Sequence, residues 1–472
     1  MGDVTIKHSE YQANIDKWRI VQEAATGDDV KKRIPELNKL DGSEENRQRN
    51  IDYKERAVFY NALGRTLTGM VGLVFAEDPK TKVGALLEYI ESDIDGQGVG
   101  IDQQATKALN DVISVGRCGL FVDYPEVTEG LSKQQADLMK IRPSCTLVTA
   151  DNITYWETTK ISGITALTLV IIKQKVKVKV NEGFGTEDKI HYLVLELVDN
   201  KYQSSVYKND AGLWEAEDII YPTDNSGSSL LEIPFFFIGA VDNRPNVGVV
   251  PSLDIAELSI AHLLNSADYE DSVHFTGQAQ PYITGLDTDW RDHLEKKGMH
   301  IGSRSPLLLP EGSFGFAQVQ PNIMAMEAMN HKEGQMMARG ANLLAPDGSA
   351  VKTAEQSSSE TKQRHSTLSL AVANINRAFV EALRVMAMFA GDSSEPEYEL
   401  SNAFMSKSLT AQDALLLAQV WQTGMLPSSD LWEKYRDGGL IDSNKTDKEI
   451  EAETESDDTG LGLDGDNEVT DA

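Results

Sequence analysis

The most regular hydrophobic pattern in the chain lies between Pro251 and Ala390. It opens at Val250-Pro251-Ser252, where a proline suits the first turn of a helix because its missing N–H has no intrahelical partner to lose. Leu253, Ala256, Leu258, Ile260, Ala261, Leu263, Leu264 and Ala267 then recur at helical spacing until Gly277 and Pro281 interrupt them. A second helix is predicted from Pro321 to about Ala341, with Ile323, Met326, Met329, Met336 and Met337 on one side. A third, of nearly ten turns, is the most regular. In it Leu368, Val372, Ile375, Phe379, Ala382, Met386 and Phe389 alternate in steps of three and four, the mark of a packed helix.

Between the second and third helices, Pro346-Asp347-Gly348 makes a turn in a stretch of mostly small, uncharged residues. This spacing predicts an exposed contact loop held between rigid elements. The insert 278–320 between the first two helices is mixed. Pro281–Thr284 and Pro306–Leu309 read as strands and Thr288–Lys297 as a short helix, and the insert gathers Arg291, His293, Lys296, Lys297, His300 and Arg304.

Before Pro251, residues 8–26 carry Tyr11, Ile15, Trp18 and Val21 at helical spacing, which predicts an arm packed on the periphery. Asp52–Phe75 reads as one continuous helix, and 81–115 as mainly helical apart from the glycine cluster Asp95–Gly100. That cluster lacks a leading strand and a following Gly-Lys-Ser/Thr, so it reads as a plain loop and not a phosphate cradle. Gly116–Pro125 is a turn entering a buried strand.

From 143 to 240 the period changes to two. Leu147–Trp156, Leu167–Val180, His191–Val198, Gln203–Tyr207 and Ile233–Ile238 are predicted strands,. Lys173, Lys175, Lys177 and Lys179 alternate with valines, which puts every lysine on one face; a solvated face or protected edge is the plain reading, a DNA-facing ribbon the sharper one. After the third helix, 395–399 reads as a linker, and Thr410–Asp413 and Pro427–Ser429 open two short helices,.

The 472 residues suggest two to four structural units,. The longest apolar run, Ile233–Val241, is too short for a membrane span and Met1–Glu10 has no signal-peptide core, so synthesis in a reducing cytoplasm is expected,. Cys118 and Cys145 have neither metal nor redox spacing and are expected to be buried thiols.

Net charge is −30, with twelve acids against Lys445 and Lys448 in 442–472, a tail expected to be solvated and flexible,. So acidic a chain argues against tight static binding to DNA phosphates. No Gly-x-Ser-x-Gly, His-Glu-x-x-His, P-loop or dinucleotide fingerprint is present, and the eight histidines never fall at metal-ligand spacing,. The expectation is a non-enzymatic assembly protein without catalytic residues, metal or cofactor.

Four stretches carry a family resemblance: Tyr53–Phe75, Pro251–Asp268, Leu309-Pro-Glu-Gly312, and Met337–Leu344 followed by Lys352-Thr-Ala-Glu355. In this order they resemble tailed-bacteriophage portal proteins, specifically the portal-like family labelled domain of unknown function 4055. The resemblance implies an α+β portal fold: a mixed α/β wing over 1–250 and stem helices over 251–277 and 321–341. A small α/β clip follows at 278–320, a tunnel loop at 342–356, a long helix at 357–391 and a helical crown at 392–441, ahead of the acidic tail 442–472.

It further implies a dodecameric ring at one capsid vertex of the virion, through which double-stranded DNA is packaged and ejected. Arg339, Asn342, Lys352 and Lys362 would lie by the DNA tunnel. Arg291, His293, Lys296, Lys297, His300 and Arg304 would form the clip that meets the terminase large subunit and the head-to-tail adaptor. Major capsid and scaffolding proteins are further implied partners, and a membrane is not. The alternatives are another head-tail adaptor or minor capsid protein, or a non-viral enzyme or regulatory helical protein whose 342–356 loop is a lid.

Overall fold

The computed structural model describes residues 3–125, 141–161, 163–179, 185–210, 212–217, 219–276, 280–283, 289, 292, 296, 307–308, 314–317, 323–344, 366–402, 411–422, 427–437, 440–441 and 445–450. Helix α1 (Ser9–Thr26) begins at His8, whose Nδ1 accepts from the Glu10 N–H at 3.2 Å, and ends at Gly27 in the left-handed region. Trp18, Val21 and Ala24 are fully buried. The N-terminal segment is therefore no peripheral arm. Helix α1 packs among later helices of the chain, and the Tyr11 hydroxyl donates to the Asp151 carbonyl at 3.0 Å.

The continuous helix expected over 52–75 is two helices, α2 (Glu44–Arg56) and α3 (Ala62–Val74). The apolar period runs through the break, but the backbone there has other partners. Ala57 turns to ψ 133°, the Val58 N–H donates to Ser266 Oγ at 2.9 Å, and Asn61 caps α3 by accepting from the Gly64 N–H at 2.7 Å.

Strand β1 (Lys80–Lys82) follows, then one 3-10 turn and helix α4 (Ile101–Val115), so 81–115 is less helical than its pattern predicts. In the glycine loop Asp93 accepts from the Gly98 N–H and Asp95 from the Gln97 N–H, each at 2.8 Å. The loop's own carboxylates thus occupy amides that a phosphate would need.

Eight strands come next: β2 (Arg117–Asp123), β3 (Ser144–Thr149), β4 (Ile153–Ile161), β5 (Ile164–Lys179), β6 (Thr186–Val198), β7 (Lys201–Asp210), β8 (Leu213–Ala216) and β9 (Phe235–Gly239). They form two antiparallel sheets, ordered β3-β2-β9 and β4-β5-β6-β7-β8. The strand expected over 147–156 is divided by a 3-10 turn at Ala150–Asn152, where the chain leaves one sheet for the other. Gly116, with φ 85°, admits the hairpin turn from α4 into β2; a Cβ there would lie 2.3 Å from the Val249 carbonyl oxygen.

Strand β2 is buried from Arg117 to Val122; Cys118 within it and Cys145 on the neighbouring β3 are buried free thiols. Arg117 lies where the two sheets meet. Its guanidinium sits 4.0 Å from the Trp156 ring centroid and 4.4 Å from that of Phe237, and its three nitrogens have no hydrogen-bond partner among the described residues. Burial pulls its pKa down to about 9.

The remaining elements of the first unit are α5 (Leu253–Thr276), β10 (Gln280–Ile283), β11 (Leu307–Leu308), β12 (Phe314–Ala317), α6 (Ile323–Leu344), α7 (Thr367–Ala390) and β13 (Glu397–Glu399). Ser366 accepts from the Ser369 N–H at 3.1 Å and stands in extended conformation. This cap starts α7 at Thr367, one residue before the apolar pattern begins at Leu368; residues 357–365, which the family resemblance assigns to the same helix, lie outside the described residues. Leu368, Val372, Ile375, Phe379, Ala382, Met386 and Phe389 are all buried, and α7 covers β2 and β9. The stretch 395–399 is not a free linker: β13 pairs antiparallel with β1, and buried Tyr398 stacks on Phe379 at 5.1 Å.

A second compact unit, residues 401–472, holds α8 (Ala411–Gln422) and α9 (Ser428–Asp437). Trp421 Nε1 donates to Ser428 Oγ at 3.0 Å across their junction. The acidic tail is not free from residue 442, since Arg436 pairs with Asp447 at 2.6 Å and Ile450 is buried. Residues 451–472 lie outside the described residues.

An unpaired buried cation costs more than two aromatic faces return. Arg117→Met, which keeps an unbranched stem, should raise unfolding stability by about 1 kcal/mol in urea melts. Arg117→Ala should lower it by about 2 kcal/mol through the cavity it leaves. A clear loss for the methionine variant contradicts this account of the core.

Candidate functional site

Three contacts fix how α5 and α6 lie together: Asp254 with Arg339 at 3.8 Å, Ser259 Oγ with Met336 Sδ at 3.2 Å, and His262 Nε2 with Glu333 Oε1 at 3.1 Å. As the number rises on one helix it falls on the other, so the pair is antiparallel. Between the two helices the chain builds a three-stranded sheet in the order β11-β10-β12, with β10 parallel to β11 and antiparallel to β12. The insert pattern predicts β10 and β11; β12 was not legible, because Phe314-Gly-Phe-Ala317 is short and glycine-interrupted.

Helix α5 is buried on several sides, and much of what it buries is polar. Ser252 Oγ donates to the Ile113 carbonyl at 2.8 Å, Ser259 Oγ also reaches the Ile255 carbonyl at 2.8 Å, and Ser266 Oγ accepts from Val58. These serines recur every seven residues and so share a face with Ala256 and Leu263,. Farther along, Asp268 accepts from the Tyr53 hydroxyl at 2.6 Å and Asp271 from Arg56 Nη2 at 2.7 Å. Burial, and then the bond to Asp268, pushes the Tyr53 phenol well up.

Two apolar residues of α5 outside its most buried face are packed inside the chain. Ile260 and Leu264 pack on a cluster of Val30, Ile34, Tyr53, Ala57, Leu263 and Ala267. Helix α6 leaves several apolar side chains uncovered, Met324 at 78% among them. Its methionine stripe divides: Met336 is buried against α5, while Ile323, Met326 and Met337 are 57%, 39% and 66% exposed. At 100° per residue those three fall within a sector of about 60°.

Of the residues expected by a tunnel, Arg339 lies in α6, exposed, its pairing with Asp254 made at the surface. Asn342 belongs to the last turn of α6 and not to a loop, so the helix runs three residues beyond its expected end. Lys352, Lys362 and the rest of the expected tunnel loop lie outside the described residues. So do Arg291, His293, Lys297, His300 and Arg304; Lys296 is exposed. Neither expected cluster is thus brought together among the described residues. No group of three His, Cys, Asp or Glu side chains gathers there for a metal, and no described helix is long and apolar enough to cross a membrane.

The residues that the sequence did not reveal are the pairs across α5: His262–Glu333, Tyr53–Asp268 and Arg56–Asp271. Partners so far apart leave no local signal, although the seven-residue serine repeat was there to be read.

Residues 251–390 match the family model described as domain of unknown function (DUF4055), a span that runs from the start of α5 to the end of α7. No curated protein matches the sequence. Among solved structures, one titled "Neck of empty GTA particle computed with C6 symmetry" aligns over 81% of this chain and 90% of that chain. Its identity is 14% and its TM-score 0.38, a likeness too slight to carry an argument.

The His262–Glu333 contact should be energetically coupled. Substituting each by alanine, singly and together, should give a double-mutant coupling of about 1–2 kcal/mol in urea unfolding. Strictly additive losses would show that the contact does not hold α5 to α6.

Proposed function

We propose that this chain is a portal-type subunit of a tailed-bacteriophage particle. Many copies form a ring at one capsid vertex, and double-stranded DNA passes through it in packaging and ejection. The observation that carries the reading is the antiparallel α5/α6 pair, joined through a small sheet and followed by α7, in which α6 leaves Ile323, Met326 and Met337 bare. An apolar face on a charged, soluble chain calls for a partner surface, and a second copy supplies one. The family match over 251–390 supports the reading because it covers this same unit and little else.

The charge supports it as well. A sliding duplex is best served by walls that neutralise few phosphates, since each neutralised phosphate adds affinity and so drag. A chain of net charge −30 provides such walls. Arg339 is the described candidate for a light phosphate contact, because its surface pairing with Asp254 holds it weakly,. Asn342, Lys352 and Lys362 join it in this proposal. Arg291, His293, Lys296, Lys297, His300 and Arg304 would face the terminase large subunit and the head-to-tail adaptor; no catalytic step is involved.

Purified protein examined by mass photometry and negative-stain imaging should form rings with a central hole, about 620 kDa for twelve 51.9 kDa chains,. Ile323→Glu with Met337→Glu should shift the population to smaller species while far-UV circular dichroism stays unchanged. A folded wild-type chain that stays monomeric at micromolar concentration refutes the proposal.

A further inference from the structure

Strands β5 and β6 run on past the sheet that holds them. β4 pairs with β5 only as far as Ile172, and β7 pairs with β6 only as far back as Tyr192. Residues 173–179 and 186–191 therefore pair with each other alone, as a two-stranded arm. A lone two-stranded ribbon is marginal in water, so an arm of this kind gains from a surface to lie on.

The arm is built with one charged face. Lys173, Lys175, Lys177 and Lys179 all point the same way, successive amines about 7 Å apart at strand spacing. Opposite them in register, on the same face, stand Tyr192, Ile190, Asp188 and Thr186. Asp188 is the one acid in that set, and it is held by Lys175 at 2.7 Å. Lys177 and Lys179 are exposed and in no ion pair among the described residues, and Ile190 between them and the sheet is 42% exposed.

The rest of the chain has the opposite sign. Net charge is −30, and some acids are left without a cation. Asp78 and Glu91 are exposed and in no ion pair among the described residues, and they lie near enough to Asp102 for both charges to push its carboxyl up, after burial has done so.

We propose that the lysine face of this arm docks on the acidic surface around Asp78 and Glu91 of a neighbouring copy, as an electrostatic strap between subunits. The proposal rests on the ring assembly put forward above and adds a specific contact to it. A patch that meets a different patch on the next copy makes a head-to-tail contact, the kind that closes rings. A DNA duplex is the other polyanion the lysines could meet, but the surrounding acidity repels it.

The test uses the full chain, with Lys177→Glu/Lys179→Glu and Asp78→Lys/Glu91→Lys as separate variants that leave the Lys175–Asp188 pair intact. Assemblies are weighed by mass photometry through a sodium chloride series, with circular dichroism as the check on folding. Both variants should come apart at about half the salt concentration that dissociates wild type, or less, since exposed charge pairs are screened by salt. An unchanged midpoint for either variant overturns the strap. Intact assemblies that instead lose salt-sensitive DNA retention in the lysine variant overturn it too, in favour of a nucleic-acid contact. Wild type that never assembles defeats the ring reading itself, a result distinct from both.

Discussion

Helix α5 has neighbours on nearly every side, and a helix so placed must satisfy its polar groups within the fold. Evenly spaced serines, His262 Nε2 on Glu333, and two aspartates that receive Tyr53 and Arg56 do most of this, and His262 Nδ1 is left without a partner among the described residues. These bonds tie α5 to α2, to the segment after it, to α4 and to α6. The break between α2 and α3 follows from the same need, since the Val58 amide is drawn to Ser266 and cannot continue a helix. With α5 fixed, α6 has one edge to pack on and one to leave bare, and the small β10–β12 sheet is carried at the far end of the pair.

The two larger sheets solve a different problem. The central strand β2 packs against helices α4 and α7 and, through Arg117, against Trp156 of β4, so it reads as a nearly unbroken apolar run,. Arg117 is the exception, its guanidinium lying against the Trp156 and Phe237 rings.

Much of this was legible in the sequence. The helices α5, α6 and α7, the period-two region and the helical pair α8/α9 follow from spacing and turn residues alone. What misled the pattern was a place where a backbone group had a distant partner, the 57–61 break. The role of α1 was misjudged because a few apolar positions look the same on a loose arm and in a core; only the company of Trp18 decides. Strands β12 and β13 are too short for periodicity to register. The candidate site was legible in outline, as a helix, insert and helix, but its pairings were not, since residues such as Tyr53 and Asp268 carry no mark of each other.

The pairing of β1 with β13 joins residues 80–82 to 397–399, with Lys80 facing Glu399 and Lys82 facing Glu397. It is the last element before Leu400, where the first unit ends. Tension arriving along the backbone from beyond that residue is therefore borne first at Leu400, whose N–H and carbonyl both bond the Asn376 side chain of α7, and is passed next to the anchored Tyr398 ring and the three-rung ladder.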